Sequence, residues 1–115
     1  MSNKEIKNLY EGMYIISATL SDEARQKALD KITRGITDHH GEIIKIHDQG
    51  RRRLSYQIDG HREGHYYVIY FNVNPAAISD LWQQYHLNED LVRFTTVRTE
   101  KVLEKIEFPV LVDQQ

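Results

Sequence analysis

Three consecutive arginines, Arg51, Arg52 and Arg53, are the densest concentration of chemistry in the chain. Guanidinium forks grip phosphate in bidentate fashion and stack on bases. Successive side chains of an extended chain point to opposite sides, so at most two of the three share one side. The run therefore offers phosphate recognition, and a solvated strand edge is the plainer alternative. Arg93 and Arg98 stand in a later extended segment and would enlarge the surface; structural salt bridges are their competing role.

Other chemistry fares worse. His61 and His65 are spaced to share a metal on a helix, but they fall in a turn and a strand, where that spacing separates the rings. The chain has no cysteine, so thiol chemistry and disulfides are excluded. Glu89 and Asp90 read as solvated turn acids. Ser17, Ser21 and Ser55 have no neighbouring base or strained elbow, and no glycine-rich phosphate loop follows a strand. We expect no enzyme, no metal and no cofactor.

With 115 residues, 40% of them hydrophobic, the chain is expected to make one domain with one core. No run approaches the ~20 apolar residues of a membrane span, and the polar amino terminus has no signal-peptide core. A cytoplasmic protein without membrane contact is expected. Lys and Arg total 15 against 17 acids, a net charge of −2. A protein gripping nucleic acid alone would be basic, because phosphate contacts dominate such affinity. Any RNA binding here should use a local patch, with a second protein supplying more positive charge.

The elements that must position the arginines follow from periodicity. Residues 9–19 read as an interior strand, with Tyr10, Tyr14 and Ile16 on one side and Met13 and Ile15 on the other. Gly12 leaves room for close packing on one side. Ser21 caps a helix whose stripe is Ala28, Leu29, Ile32 and Ile36, with Gly41 as its stop. Its charged outer side, including Arg25, Lys27, Lys31 and Arg34, reads as solvated. Residues 42–58 make one long strand with a bulge or kink near Gly50. Ile44 and Ile46 start an alternation that Leu54, Tyr56 and Ile58 resume. Residues 59–64 read as a hairpin connection, and residues 65–73 as a central strand. Asn74 and Pro75 open a second helix with Ile78, Leu81, Trp82 and Tyr85 on its apolar face. Residues 91–99 are a last strand. The order βαββαβ predicts an α+β, ferredoxin-like fold: a four-stranded antiparallel sheet with both helices on one face. The other face should be open to partners.

The stretch Gly50-Arg51-Arg52-Arg53-Leu54-Ser55-Tyr56-Gln57-Ile58 resembles the signature of the bacterial small-subunit ribosomal protein six family. That signature runs Gly, any residue, basic, polar, Leu, Ser or Ala, Tyr, any residue, Ile. It usually closes on a basic or small polar residue, where this chain has Asp59, which weakens the positive patch. The resemblance extends from Tyr10 and Glu11 to Val92 and Arg93. It implies a ferredoxin-like fold and an architectural role without catalysis. It also implies pairing with small-subunit ribosomal protein eighteen on the central domain of small-subunit ribosomal RNA.

The expected organisation is a flexible start at 1–8, a ribosomal-protein domain at 9–99 and a tail at 100–115. The tail carries Phe108, Val110, Leu111 and Val112, which have no partner element of their own and gain by burial against a partner. We expect residues from about Lys101 onward to be mobile until a partner orders them. The alternative function is a free-standing, recognition-motif-like module that stacks single-stranded RNA on Tyr66, Tyr67, Tyr70 and Phe71. It lacks that module's glycine-aromatic signature.

Overall fold

The structure is a computed structural model that describes residues 6–58 and 60–105, with the side chains of 55–58 and 61 excepted. The expected tail contacts of Phe108, Val110, Leu111 and Val112 lie outside the described residues.

The order of elements is β1 (Asn8–Ser17), α1 (Asp22–Asp38), β2 (Glu42–Ile58), β3 (His61–Val73), a 3-10 turn at Pro75–Ala77, α2 (Ile78–Leu87) and β4 (Leu91–Arg98). The strands form one antiparallel sheet in the order β2-β3-β1-β4. Both helices cover one face. Their stripes, Ala28, Leu29, Ile32 and Ile36 from α1 and Leu81 and Tyr85 from α2, pack on Tyr10, Tyr14, Ile16, Tyr67, Ile69, Phe71 and Val73. This is the expected ferredoxin-like arrangement, with β1 and β3 interior.

Local chemistry sets the ends of the elements. Ser21 caps α1 by accepting from the Ala24 amide at 3.1 Å, with Asp22 and Glu23 in the first turn. This satisfies one orphan donor and favours the helix dipole. Asn74 accepts from the Ala76 amide at 2.8 Å ahead of Pro75. The helix stop departs from expectation. His40, not Gly41, takes the left-handed conformation, at φ 63. Gly41 is small for another reason: an added Cβ would lie 2.7 Å from the Ile36 carbonyl oxygen and 3.0 Å from that of Asn72.

Two further expectations are corrected. Residues 61–64, expected in the hairpin connection, belong to β3. Gly64 pairs with Ser17 and Arg52, and its missing Cβ makes way for Ile15. The alternation begun by Ile44 and Ile46 does not carry through β2. Register shifts at Ile44 and again between Asp48 and Gly50, and each one-residue shift reverses the side on which later residues fall. Ile44 and Ile46 are each 42% exposed, whereas Leu54 is buried with Ile15 and Tyr66 on the sheet face away from the helices.

That second face is not bare. Beyond β4 the Thr99 amide bonds the Leu9 carbonyl, and the chain then crosses the sheet toward β2. His47 Nε2 meets the Leu103 carbonyl at 2.8 Å and Lys45 Nζ meets Glu104 at 2.8 Å. Val68 and Tyr70, which share this face, are buried. Over residues 101–105, inside the expected mobile tail, the chain thus lies against the sheet. A sheet face carrying Val68, Tyr70, Met13 and Ile15 is apolar enough to hold a short strap, which keeps that surface from water.

Candidate nucleic-acid interface

β2 and β3 outrun the rest of the sheet. β1 ends opposite Gly64, yet β2 and β3 run on past it, pairing Arg53 with Glu63 and, across a further break in register, Ile58 with His61. The continuation is a two-stranded ribbon with Gly60 at its turn in the left-handed region, φ 85. The three arginines stand where this ribbon leaves the sheet.

The bulge decides their directions. Gly50 has φ 79, a conformation that glycine adopts without steric cost, and its amide donates to Asp48 Oδ1 at 2.9 Å. After the register shift, Arg51 opposes His65 and Arg53 opposes Glu63, on the helix-covered side. Arg52 opposes Gly64 and points to the other side. The sequence had required such a split. It had not shown that Arg51 Nε would donate to the Glu63 carboxylate. Both partners are substantially exposed, at 64% and 45%, so the pair is held weakly and can exchange for another anion.

Arg93 pairs with Ile15, which puts it on the face away from the helices, near the same end of the sheet as Arg52. Between them lies the apolar cluster of Ile15, Leu54 and Tyr66, flanked by Met13 and Val92. Arg98 pairs with Tyr10, on the helix side at the opposite end. The structure thus gathers Arg51, Arg52, Arg53 and Arg93 at one end, on two faces, and leaves Arg98 apart.

Sequence reasoning missed a set of residues beside the arginines. His65 Nε2 lies 2.7 Å from Asp48 Oδ1, and its ring stacks on Tyr67 with centroids 4.8 Å apart. Tyr67 OH accepts from Arg25 Nε at 3.1 Å, and Arg25 Nη1 donates to Asp22 at 2.8 Å. The Tyr67 hydroxyl, then Asp22, hold the Arg25 guanidinium more firmly charged than usual. Burial pushes the Tyr67 phenol up, against the pull of Arg25. Burial alone would raise Asp48. The hydrogen bonds from His65 and the Gly50 amide, with the charges of His65 and Arg25, outweigh it and hold the carboxyl below its usual range. Only the Asp22 and Arg25 pair, three residues apart, was visible in the sequence. Arg25 and Tyr67 are 42 residues apart and meet only through the fold.

The aromatic residues of β3 do not form a stacking platform. Tyr66, Tyr67, Tyr70 and Phe71 are all buried, with no more than 6% exposed. Among the described residues no group of three or more His, Asp or Glu is placed to hold an ion. In a strand, positions 61 and 65 are about 13 Å apart along the chain.

The family model for ribosomal protein S6 matches residues 9–98. The chain belongs to the ribosomal protein S6 family. It is 67% identical over 113 residues to the small ribosomal subunit protein bS6 of Protochlamydia amoebophila, covering 98% of this chain and 99% of that protein. It is 60% identical over 111 residues to the bS6 protein of Chlamydia pneumoniae, covering 96% of this chain and 98% of the other. The crystal structure of 30S ribosomal protein S6 from Thermotoga maritima superposes with a TM-score of 0.78 at 28% identity, over 82% of this chain and 89% of that one. Membership makes this a structural protein of the small ribosomal subunit rather than an enzyme. No helix among the described residues is long and apolar enough to cross a membrane.

Proposed function

We propose that the chain binds the central domain of small-subunit ribosomal RNA jointly with small-subunit ribosomal protein eighteen, as an architectural component of the ribosome. The observation that carries this reading is the β2–β3 ribbon. It concentrates Arg51, Arg52 and Arg53 where it leaves the sheet, with Arg93 at the same end. The remainder of the chain offsets them to a net charge of −2. A protein with a local basic patch and no overall positive charge gains most of its RNA affinity in company with a basic partner. The apolar residues Phe108, Val110, Leu111 and Val112 would add contact with that partner. Affinity capture of the tagged chain from lysate tests the reading: it should recover small-subunit ribosomal RNA and protein eighteen together. Recovery of diverse single-stranded RNAs without that protein would favour the recognition-motif reading, which the burial of the β3 aromatics opposes.

A further inference from the structure

Beside the arginine run lies a cavity of about 70 Å³ whose walls include Ser17, Asp22, Arg25, Arg51 and His65. The walls come from four parts of the fold: the end of β1, the first turns of α1 (both Asp22 and Arg25), the bulged section of β2, and β3. Arg25 is fixed there by its bond to Tyr67. Its side chain is 25% exposed, so it is more sheltered than an ordinary solvated helix residue. Its bonds to Tyr67 and Asp22 use only part of the guanidinium's donor set. The acids nearby are poor permanent tenants. Asp22 is 94% exposed and Glu63 45% exposed, so water screens both pairs and an incoming anion can displace either carboxylate. Asp48 is committed to His65 and the Gly50 amide.

We infer that this cavity takes one backbone phosphate of the bound RNA, with Arg25 and Arg51 as its cationic walls. The inference deepens the RNA-binding reading and rests on it. Two guanidiniums from separate elements can each offer paired N–H groups to a tetrahedral oxyanion, and the cavity has room for one such group and little else. Arg25 thereby joins the arginine run as a contact residue, although it lies on α1 and 26 positions before Arg51 in sequence. Phosphate arriving here would also tie the base of the ribbon to α1, fixing the direction in which the ribbon leaves the sheet.

The test has two arms, both on the full chain. In the first, a dinucleoside monophosphate and, separately, inorganic phosphate are titrated into the isolated protein while the Arg25 Nε–H and His65 ring NMR signals are followed. The diester should shift both signals, and Arg25→Gln should abolish the His65 response. A response to inorganic phosphate but not to the diester would overturn the assignment to RNA. In the second arm, association with small-subunit ribosomal RNA in the presence of protein eighteen is measured against salt. Arg25→Gln should reduce the salt slope by roughly one phosphate's worth, and Arg25→Lys should retain most of it. Wild-type slope in Arg25→Gln, with wild-type RNA binding otherwise intact, would overturn the cavity while leaving the proposed function standing. Absence of RNA association in the wild-type pair would overturn both.

Discussion

The ring of His47, in β2, is bonded through Nε2 to the carbonyl of Leu103 at 2.8 Å, so the chain leaving one edge of the sheet is tied to the opposite edge. A carbonyl only accepts, so Nε2 carries the proton. The same ring stands edge-on to Tyr70, centroids 5.9 Å apart. Tyr70 in turn donates to Glu11 of β1, and burial first, then Glu11, pushes its hydroxyl pKa up to about 12. The strap thus closes a polar network over an apolar sheet face. A chain ending at Lys105 should melt several degrees above one ending at Thr99, because removal of 100–105 exposes apolar surface and a bonded His47, together about 1–3 kcal/mol. Matched thermal denaturation of the two truncations checks this; equal melting temperatures would show that the strap contributes nothing.

The Tyr14 and Tyr85 hydroxyls meet at 2.9 Å inside the main core, with their rings edge-to-face at 5.2 Å. Burial, with the neighbouring Tyr85, raises Tyr14 well above a normal phenol, and burial raises Tyr85 to about 12. Both phenols must stay neutral in the folded state, whereas unfolded tyrosine ionises near pH 10. Stability from this pair is therefore fully present below about pH 10 and lost as pH rises toward the folded values. Alkaline denaturation followed by tyrosinate absorbance should show these phenols ionising with unfolding rather than before it. Tyr85→Phe leaves the Tyr14 hydroxyl buried without its partner and should cost about 1–3 kcal/mol.

Element order and core were legible because they rest on local patterns: Ser21 before the α1 stripe, Asn74 and Pro75 before α2, and β-branched and aromatic residues throughout β3. The bulged strand around Gly50 was legible for the same reason. What escaped depends on contacts between distant residues. Gly41 resembles a helix stop, but its size is demanded by oxygens of Ile36 and Asn72, and Asn72 lies in another strand. Gly64 resembles a turn residue, yet Ile15 of β1 is what requires it. The direction of Arg51 could not be read because one extra residue, placed in register by pairing with β3, decides it. Arg25 looked solvated because its partner Tyr67 is remote in sequence.

Gly41 supplies a separate check of that explanation. An alanine methyl would press on two backbone oxygens and on Ile36 Cγ2 at 2.6 Å. Backbone moves less readily than a flexible side-chain tip, so Gly41→Ala should destabilise by about 1–3 kcal/mol even though no left-handed conformation is involved. Gly50→Ala meets no atom within 4 Å but must hold φ 79, so its cost is conformational, about 1 kcal/mol. Urea denaturation of both variants distinguishes crowding from backbone strain: in a double-mutant cycle with Ile36→Ala, which removes the crowding Cγ2, the loss from Gly41→Ala should shrink and the loss from Gly50→Ala should not.

The arrangement of arginines makes the last prediction. Arg51, Arg52, Arg53 and Arg93 stand at one end of the sheet, whereas Arg98 stands at the other, on the helix side beside Tyr10. If one end of the sheet meets RNA, substitution should divide the arginines by position rather than by charge. Replacing Arg51, Arg52 and Arg53 with Ala should weaken association of the protein pair with ribosomal RNA and lower its salt slope by roughly one unit per contacting residue. Arg98→Ala, which removes the same charge, should leave the slope nearly unchanged. Arg98→Ala should move the melting temperature little, since exposed charge pairs contribute about 0–1 kcal/mol, whereas the triple variant also removes the packing of the half-buried Arg52 and should lose somewhat more. An equal fall in slope for Arg98→Ala and for a single substitution in the run would mean that RNA senses only net charge, and the ribbon would lose its place as the binding element.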